Sequence, residues 1–157
     1  MGCCARVLVV DDDESIRKML ATILEDSGYV VDVAKNGKEA VRKSRVRVYN
    51  VALIDIHLPD IDGVQLLTRL KPTVPRMRKI VITGYPSQQS AIEALNRGAD
   101  AYVIKPFNMG RVLLIIREQL RRQEEEKKYS QEKVTEFIET RVKQLEAEKN
   151  VVRSKAR

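Results

Sequence analysis

Tryptophan is absent from the 157-residue sequence, histidine occurs once, and aromatic residues make up only 4% of the chain. The two cysteines, Cys3 and Cys4, are adjacent and cannot build the disulfide framework of a small secreted domain, so we expect a cytoplasmic protein. No apolar run approaches the roughly 18 residues that a membrane span requires, so we expect no membrane partner. Because few aromatic side chains are available to stack on bases, nucleic acid is also a poor candidate partner for this chain.

The sequence does contain a regular alternation of short apolar runs and amphipathic helical patterns across residues 1–120. The apolar runs, rich in β-branched residues, predict strands at residues 6–10, 29–33, 51–55, 79–83 and 101–104. The helical patterns predict helices at residues 14–27, 36–47, 63–70 and 87–97, and a last helix from Asn108. Asp13, Asn36 and Ser87 are typical N-cap residues for three of these helices. Five such βα units predict a doubly wound α/β domain with a five-stranded parallel sheet.

Residues 121–157 differ in composition, because they contain no glycine or proline and begin with an almost wholly charged stretch. Opposite charges three and four residues apart favour a continuous helix. Four apolar residues fall on the a and d positions of a heptad pattern: Ile138, Val142, Leu145 and Val152. We therefore predict a second segment, residues 121–157, that forms a charged helical extension and a possible coiled coil. A frayed, partly disordered tail is the alternative.

Acidic and polar residues stand where the predicted strands end. The aspartates at residues 11–13 follow the first strand and Asp55 closes the third, while Thr83 and Lys105 close the fourth and fifth. Because the carboxyl ends of neighbouring parallel strands meet at one edge of a sheet, we expect these side chains to share a pocket. Clustered carboxylates repel one another unless a cation neutralises them. Oxygen ligands select a hard ion, so we expect Mg²⁺, for which Mn²⁺ can substitute.

An aspartate in such a pocket is a competent nucleophile toward phosphorus, because phosphoryl transfer depends mainly on positioning and charge neutralisation. Asp55 is the candidate acceptor. Lys105 would supply a fixed positive charge and Thr83 a hydroxyl donor for the phosphoryl oxygens. For Asp13, the third acid of its run, helix capping is a better interpretation than metal ligation.

Four segments, at residues 7–14, 52–63, 81–84 and 98–107, together resemble the receiver domain of two-component response regulators. They occur in the family's order and spacing within residues 5–120. The resemblance implies a CheY-like, flavodoxin-like fold. It also implies a signalling switch rather than an enzyme, with only the receiver's own phosphotransfer and autodephosphorylation chemistry.

The same resemblance implies roles for individual residues. Asp55 would take a phosphoryl group from a histidine kinase, and Asp12 and Asp55 would bind Mg²⁺ through their carboxylates. Asp11 would bind the metal largely through water, and His57 through its backbone carbonyl.

Two further pocket roles follow from the resemblance. Lys105 would pair with the phosphoryl group and form a cis peptide bond to Pro106. Thr83 and Tyr102 would form the switch pair that carries the signal away from the pocket.

The sequence after residue 120 shows no helix-turn-helix pattern, no glycine-rich ATPase loop and no catalytic segment. The output partner therefore stays unknown. The switch would act through a homodimer made by the last helices and the tail, or through a separate output protein. Alternatively, the chain is the N-terminal receiver part of a longer transcriptional regulator.

Two other classes of function compete with the switch. Asp11, Asp13 and Ser15 loosely resemble the nucleophile loop of haloacid-dehalogenase-like phosphatases, which would make Asp11 the nucleophile. That class needs a cap domain and a late acidic pair, and the sequence offers neither. A degenerate receiver used as a structural or nucleic-acid-binding protein is disfavoured because the pocket residues are all present.

Overall fold

The computed structural model describes residues 4–156, in which strands and helices alternate along the chain. The strands are β1 (Arg6–Val10), β2 (Val30–Ala34), β3 (Val51–Asp55), β4 (Arg78–Thr83) and β5 (Ala101–Ile104). The helices are α1 (Glu14–Asp26), α2 (Gly37–Val46), α3 (Gly63–Arg69), α4 (Gln88–Asn96) and α5 (Met109–Lys155). This order is the predicted series of five βα units.

The five strands form one parallel sheet in the order β2-β1-β3-β4-β5. Every residue of the central strand β3 is buried, as expected for a strand covered by helices on both faces. Alternate residues of β1 enter two different core clusters, Leu8 in one and Val9 in the other. The predicted doubly wound α/β fold is confirmed.

The helices begin where short polar side chains satisfy free backbone N–H groups. Asp13 accepts a hydrogen bond from the N–H of Ile16, and Asn36 and Ser87 cap α2 and α4 in the same way. These three caps were predicted correctly. Asp62 caps α3 as well, a role that sequence reasoning did not assign.

Two strands begin at residues other than those predicted. Tyr29 donates its N–H back to the carbonyl of Leu24 at 3.1 Å, so it belongs to the turn that ends α1, and β2 begins at Val30. Arg78 donates to the carbonyl of Asn50 at 2.9 Å, which adds it to the start of β4. In both cases a backbone hydrogen bond, rather than the side-chain pattern, decides where the strand begins.

The described chain divides into a first compact unit that ends at Gln123 and a second that begins at Glu124. Residues 124–155 are helical throughout, as part of α5, so the predicted long C-terminal helix is confirmed. The four seam residues Ile138, Val142, Leu145 and Val152 are between 43% and 67% exposed. Their apolar surface therefore has no cover within the described chain. The division of function between residues 1–120 and 121–157 stays a prediction.

Among residues 4–156, no helix combines the length and the hydropathy needed to cross a lipid bilayer.

Candidate functional site

Three carboxylates meet at the carboxyl edge of the sheet. Asp11 and Asp12 follow β1 and Asp55 ends β3, and one oxygen from each lies within 4.8 Å of the other two. The two strands are neighbours with Val10 opposite Ile54 in register, so their ends bring these residues side by side. Asp11 and Asp55 are buried and Asp12 is exposed, which leaves the cluster open to solvent on one side.

Lys105 is the cation that faces the cluster. Its Nζ lies 3.2 Å from Oδ2 of Asp11 and 3.2 Å from Oδ2 of Asp55. Burial opposes the charged form of Lys105, but the two carboxylates outweigh burial and raise the pKa of the ammonium group above its ordinary value. The backbone also fixes this lysine, because its N–H donates to the carbonyl of Thr83 at 2.7 Å. Its bond to Pro106 is cis, as expected.

Asp11 is held by hydrogen bonds to several groups and by its ion pair with Lys105. Its Oδ1 accepts the N–H of Asp13 at 2.9 Å, and its backbone carbonyl accepts from Nη1 of Arg17 at 2.8 Å. Burial is the main cause that raises the pKa of Asp11, and the nearby charge of Asp55 acts in the same direction. One lysine among three carboxylates leaves net negative charge in a pocket of oxygen donors. The residues present therefore fit a hard divalent cation.

The loop after β3 lies close against the end of that strand. Oδ1 of Asp55 accepts the N–H of His57 at 3.2 Å, and the N–H of Gly63 donates to the carbonyl of Ile56 at 2.8 Å. A Cβ atom at Gly63 would lie 2.3 Å from the carbonyl oxygen of Asp55. Only glycine permits this approach, so Gly63 helps to hold the candidate acceptor in place.

Asp60, in the same loop, has a structural role that sequence reasoning missed. Its two carboxylate oxygens accept the N–H groups of Gly37 and Lys38, each at 2.9 Å. The loop after β3 is thereby attached to the first turn of α2. No sequence signal indicates this contact, because more than 20 residues separate the partners.

Thr83 and Tyr102 lie on neighbouring strands but make different contacts. Thr83 is fully buried, and its Oγ1 accepts the N–H of Tyr85 at 3.0 Å. The hydroxyl of Tyr102 lies 2.8 Å from Oγ of Ser90 on α4. Sequence reasoning identified Thr83 and Tyr102 as candidate switch residues, but it did not predict the hydrogen bond between Tyr102 and Ser90 of α4.

The ring of Tyr85, which follows β4, contacts the ring of His57, which follows β3. Its centroid lies 5.0 Å from that of His57, with the two rings nearly perpendicular. Sequence reasoning missed this pair, since the two residues are brought together by neighbouring strand ends rather than by spacing in the chain.

Comparison with known proteins supplies an independent test of the fold and of the family. The sequence profile of the response regulator receiver domain matches residues 7–117, more than two thirds of the chain. The transcriptional regulatory protein ZraR of Klebsiella oxytoca is 38% identical over 114 residues, which cover 73% of this chain and 26% of ZraR. The chain spans about a quarter to about a half of the length of the curated relatives it matches.

Two solved structures show the same similarity. A CheY-like response regulator receiver domain protein from Methanospirillum hungatei JF-1 is 42% identical with a TM-score of 0.76, and the match covers 79% of this chain and 99% of that one. The beryllofluoride-activated NtrC4 receiver domain, solved as a dimer, is 41% identical with a TM-score of 0.70, over 75% of this chain and 98% of that one. Both are therefore matched over almost their whole length.

The carboxylate cluster leads to a prediction about metal binding. Mg²⁺ should raise the thermal unfolding midpoint of the full chain, since an ion at about 100 times its Kd stabilises the folded state by about 2.7 kcal/mol. Asp12→Asn removes one charged oxygen donor and should raise the Kd for Mg²⁺ about tenfold or more. Asp26→Asn, at the exposed end of α1, is the matched control. Equal Mg²⁺ stabilisation of wild type and Asp12→Asn in calorimetry would contradict the site.

Proposed function

The chain belongs to the response regulator receiver domain family, and on that premise we propose that Asp55 accepts a phosphoryl group from the phosphohistidine of a histidine kinase in the cytoplasm. The observation that carries this proposal is the position of Lys105, whose Nζ lies 3.2 Å from both Asp55 and Asp11. The protein acts as a switch rather than as a turnover enzyme, apart from its own phosphotransfer and autodephosphorylation.

The proposed transfer begins with Asp55 in its ionised form. An oxygen of its carboxylate attacks phosphorus, the new oxygen–phosphorus bond forms, and the bond from phosphorus to the kinase imidazole breaks with its electron pair on nitrogen. Lys105 stays within reach of the oxygens that carry the developing charge. Thr83 donates its hydroxyl to a second phosphoryl oxygen. To do so, the hydroxyl leaves its present position beside the N–H of Tyr85.

The metal fits the same pocket. We assign its ligands to the carboxylates of Asp12 and Asp55, to Asp11 largely through water, and to the backbone carbonyl of His57. Mg²⁺, or Mn²⁺ in its place, supplies positive charge that offsets the repulsion between Asp55 and the incoming phosphoryl oxygens. Asp12 and Asp55, with Asp11 largely through water, would hold the ion, which would leave Lys105 for the phosphoryl group.

The switch runs from Thr83 to the face made by α4, β5 and α5. When Thr83 turns toward the phosphoryl group, the ring of Tyr102 gains room to turn inward, which breaks its hydrogen bond to Ser90 on α4. Large apolar side chains on this face are exposed and available for an altered contact: Ile92, Leu95, Ile104 and Leu114. A tenfold change in partner affinity needs only about 1.4 kcal/mol of coupling between the two states.

The partners we propose are a histidine kinase, an output protein that the sequence does not identify, and a second copy of this chain. Self-association is supported by the NtrC4 receiver domain, which was solved as a dimer after activation with beryllofluoride. It is also supported by the uncovered seam of the second unit, where exposed apolar residues recur at coiled-coil spacing.

A second candidate is that these residues act as the receiver part of a longer transcriptional regulator. This candidate is favoured because the matched stretch covers only part of the curated relatives: ZraR is about four times as long as the stretch it shares with this chain. An immunoblot of native cells with an antibody against residues 1–120 tests this candidate, because a band much larger than 17.9 kDa would support it.

Asp55→Asn should abolish phosphoryl uptake, because the amide is nearly isosteric but a very weak nucleophile. We expect a decrease of about 100-fold or more in labelling by acetyl phosphate. Asp13→Asn is the matched control, since asparagine also caps a helix and should leave labelling unchanged. Undiminished labelling of Asp55→Asn, together with loss in Asp11→Asn, would favour the phosphatase-like alternative instead.

Thr83→Ala should leave Asp55 able to accept a phosphoryl group but should uncouple it from the α4–β5–α5 face. We expect the NMR shift changes of residues 92–104 on addition of beryllofluoride to decrease, with about tenfold weaker coupling to partner binding or dimerisation. Thr68→Ala, on α3, is the control. Normal coupling in Thr83→Ala would remove this hydroxyl from the mechanism.

Leu145→Asp should shift the full chain toward monomer, because it places a charge in the seam. Each seam side chain buried in a dimer contributes roughly 1.5–3 kcal/mol before the entropy of association is subtracted, so a loss of tenfold or more in dimer affinity is expected. Ala147→Asp adds the same charge away from the seam. Sedimentation that shows wild type monomeric at high concentration, even with beryllofluoride, would disprove pairing through the seam.

A further inference from the structure

A groove of about 840 Å³ lies between α2 and α3, and its lining does not include the carboxylate cluster. Val41 and Val46 of α2 and Ile61 of the loop after β3 form its apolar part. Val46 is 77% exposed, so this apolar part is open to solvent. Cationic side chains complete the groove: Lys38, Arg42, Arg45 and Arg69.

The negative charge beside these four cations is smaller than their own charge, since the one carboxylate in the lining is Asp60, which interacts with Lys38. Within residues 4–156 none of them forms an ion pair, whereas two other cations of the same region do, Lys43 with Glu39 at 3.2 Å and Arg47 with Asp32 at 3.4 Å. Like charges on one face repel one another, so this arrangement favours the arrival of an anionic group.

The single carboxylate that lines the groove, Asp60, offsets at most one of these four positive charges. Both oxygens of Asp60 accept backbone N–H groups, from Gly37 and Lys38, at the start of α2. Gly37 also packs so closely on Ile61 that a Cβ atom at Gly37 would collide with the Ile61 side chain. The groove thus combines an apolar strip with an excess of positive charge beside it.

We propose that this groove binds an acidic amphipathic helix of a partner protein. The proposal goes beyond the phosphoacceptor function and does not depend on it. Helices dock into grooves through apolar residues spaced three and four apart, and glutamates beside that stripe would meet Arg42 and Arg45. The ten residues of α2 extend over about 15 Å, room for roughly three turns of a partner helix.

Other anionic partners fit the groove less well. The lining contains no aromatic side chain on which a nucleic-acid base could stack. A membrane surface would meet the charged rim but would leave the half-buried Val41 and Ile61 uncovered. Only a ligand with an apolar face of its own would bury the apolar strip.

The test uses the full chain and a panel of 18-residue helical peptides with Leu on one face and Glu beside it. Matched peptides with Lys in place of Glu, a 20-base-pair DNA duplex and phosphatidylglycerol vesicles are the competing probes. We expect the acidic peptides to bind by fluorescence anisotropy and to shift the NMR signals of α2, α3 and residues 60–61. Binding of Asp55→Asn should equal that of wild type, which separates this site from the proposed phosphoacceptor function.

The double variant Arg42→Glu/Arg45→Glu should weaken acidic-peptide binding about tenfold or more and should favour the Lys peptides. Arg97→Glu/Arg117→Glu, which reverses two exposed arginines elsewhere, should change it less than about twofold, with circular dichroism showing that both variants are folded. The proposal is overturned if no acidic peptide binds, if the double variant binds it as tightly as wild type, or if only DNA or vesicles show the groove-dependent loss.

Discussion

Three carboxylates and one lysine meet at the carboxyl edge of the sheet, and this is the constraint on which the rest of the structure depends. Asp11 and Asp55 are buried, and Lys105 reaches both at 3.2 Å. Buried like charges are costly unless they are neutralised, so the strand register must deliver the lysine to the same point as the acids. The parallel alignment of β1, β3, β4 and β5 does this, because each strand ends at the same edge of the sheet.

Hydrogen bonds connect the pocket to two different surfaces. On one side Lys105 donates to the carbonyl of Thr83, and β5 continues to Tyr102 and its hydrogen bond with Ser90 of α4. On the other side the loop after Asp55 is attached to α2 through Asp60. Asp55 is thus linked to α4 and to the start of α2 by chain segments that each end in a discrete hydrogen bond.

The uncovered surfaces of the two units call for different partners. The seam of the second unit is apolar and repeats at heptad spacing, which suits an identical helix. The groove of the first unit joins a short apolar strip to cations without ion pairs, which suits an anionic ligand that is itself partly apolar. Both surfaces are partly apolar, so charge is what distinguishes the partners that they fit. Covering a cation that has no ion pair with apolar groups is costly, whereas an opposite charge stabilises it.

The sequence by itself determined the order of strands and helices, the caps at Asp13, Asn36 and Ser87, and the residues at the strand ends, because each depends on local patterns. Only the tertiary structure decided contacts between residues far apart in the chain. Gln123 stands in a charged helical stretch and reads as a surface residue, yet it is buried and hydrogen-bonded to Asn50, 73 positions away. Such contacts depend on how helices rotate and pack against the sheet, which no short stretch of sequence specifies.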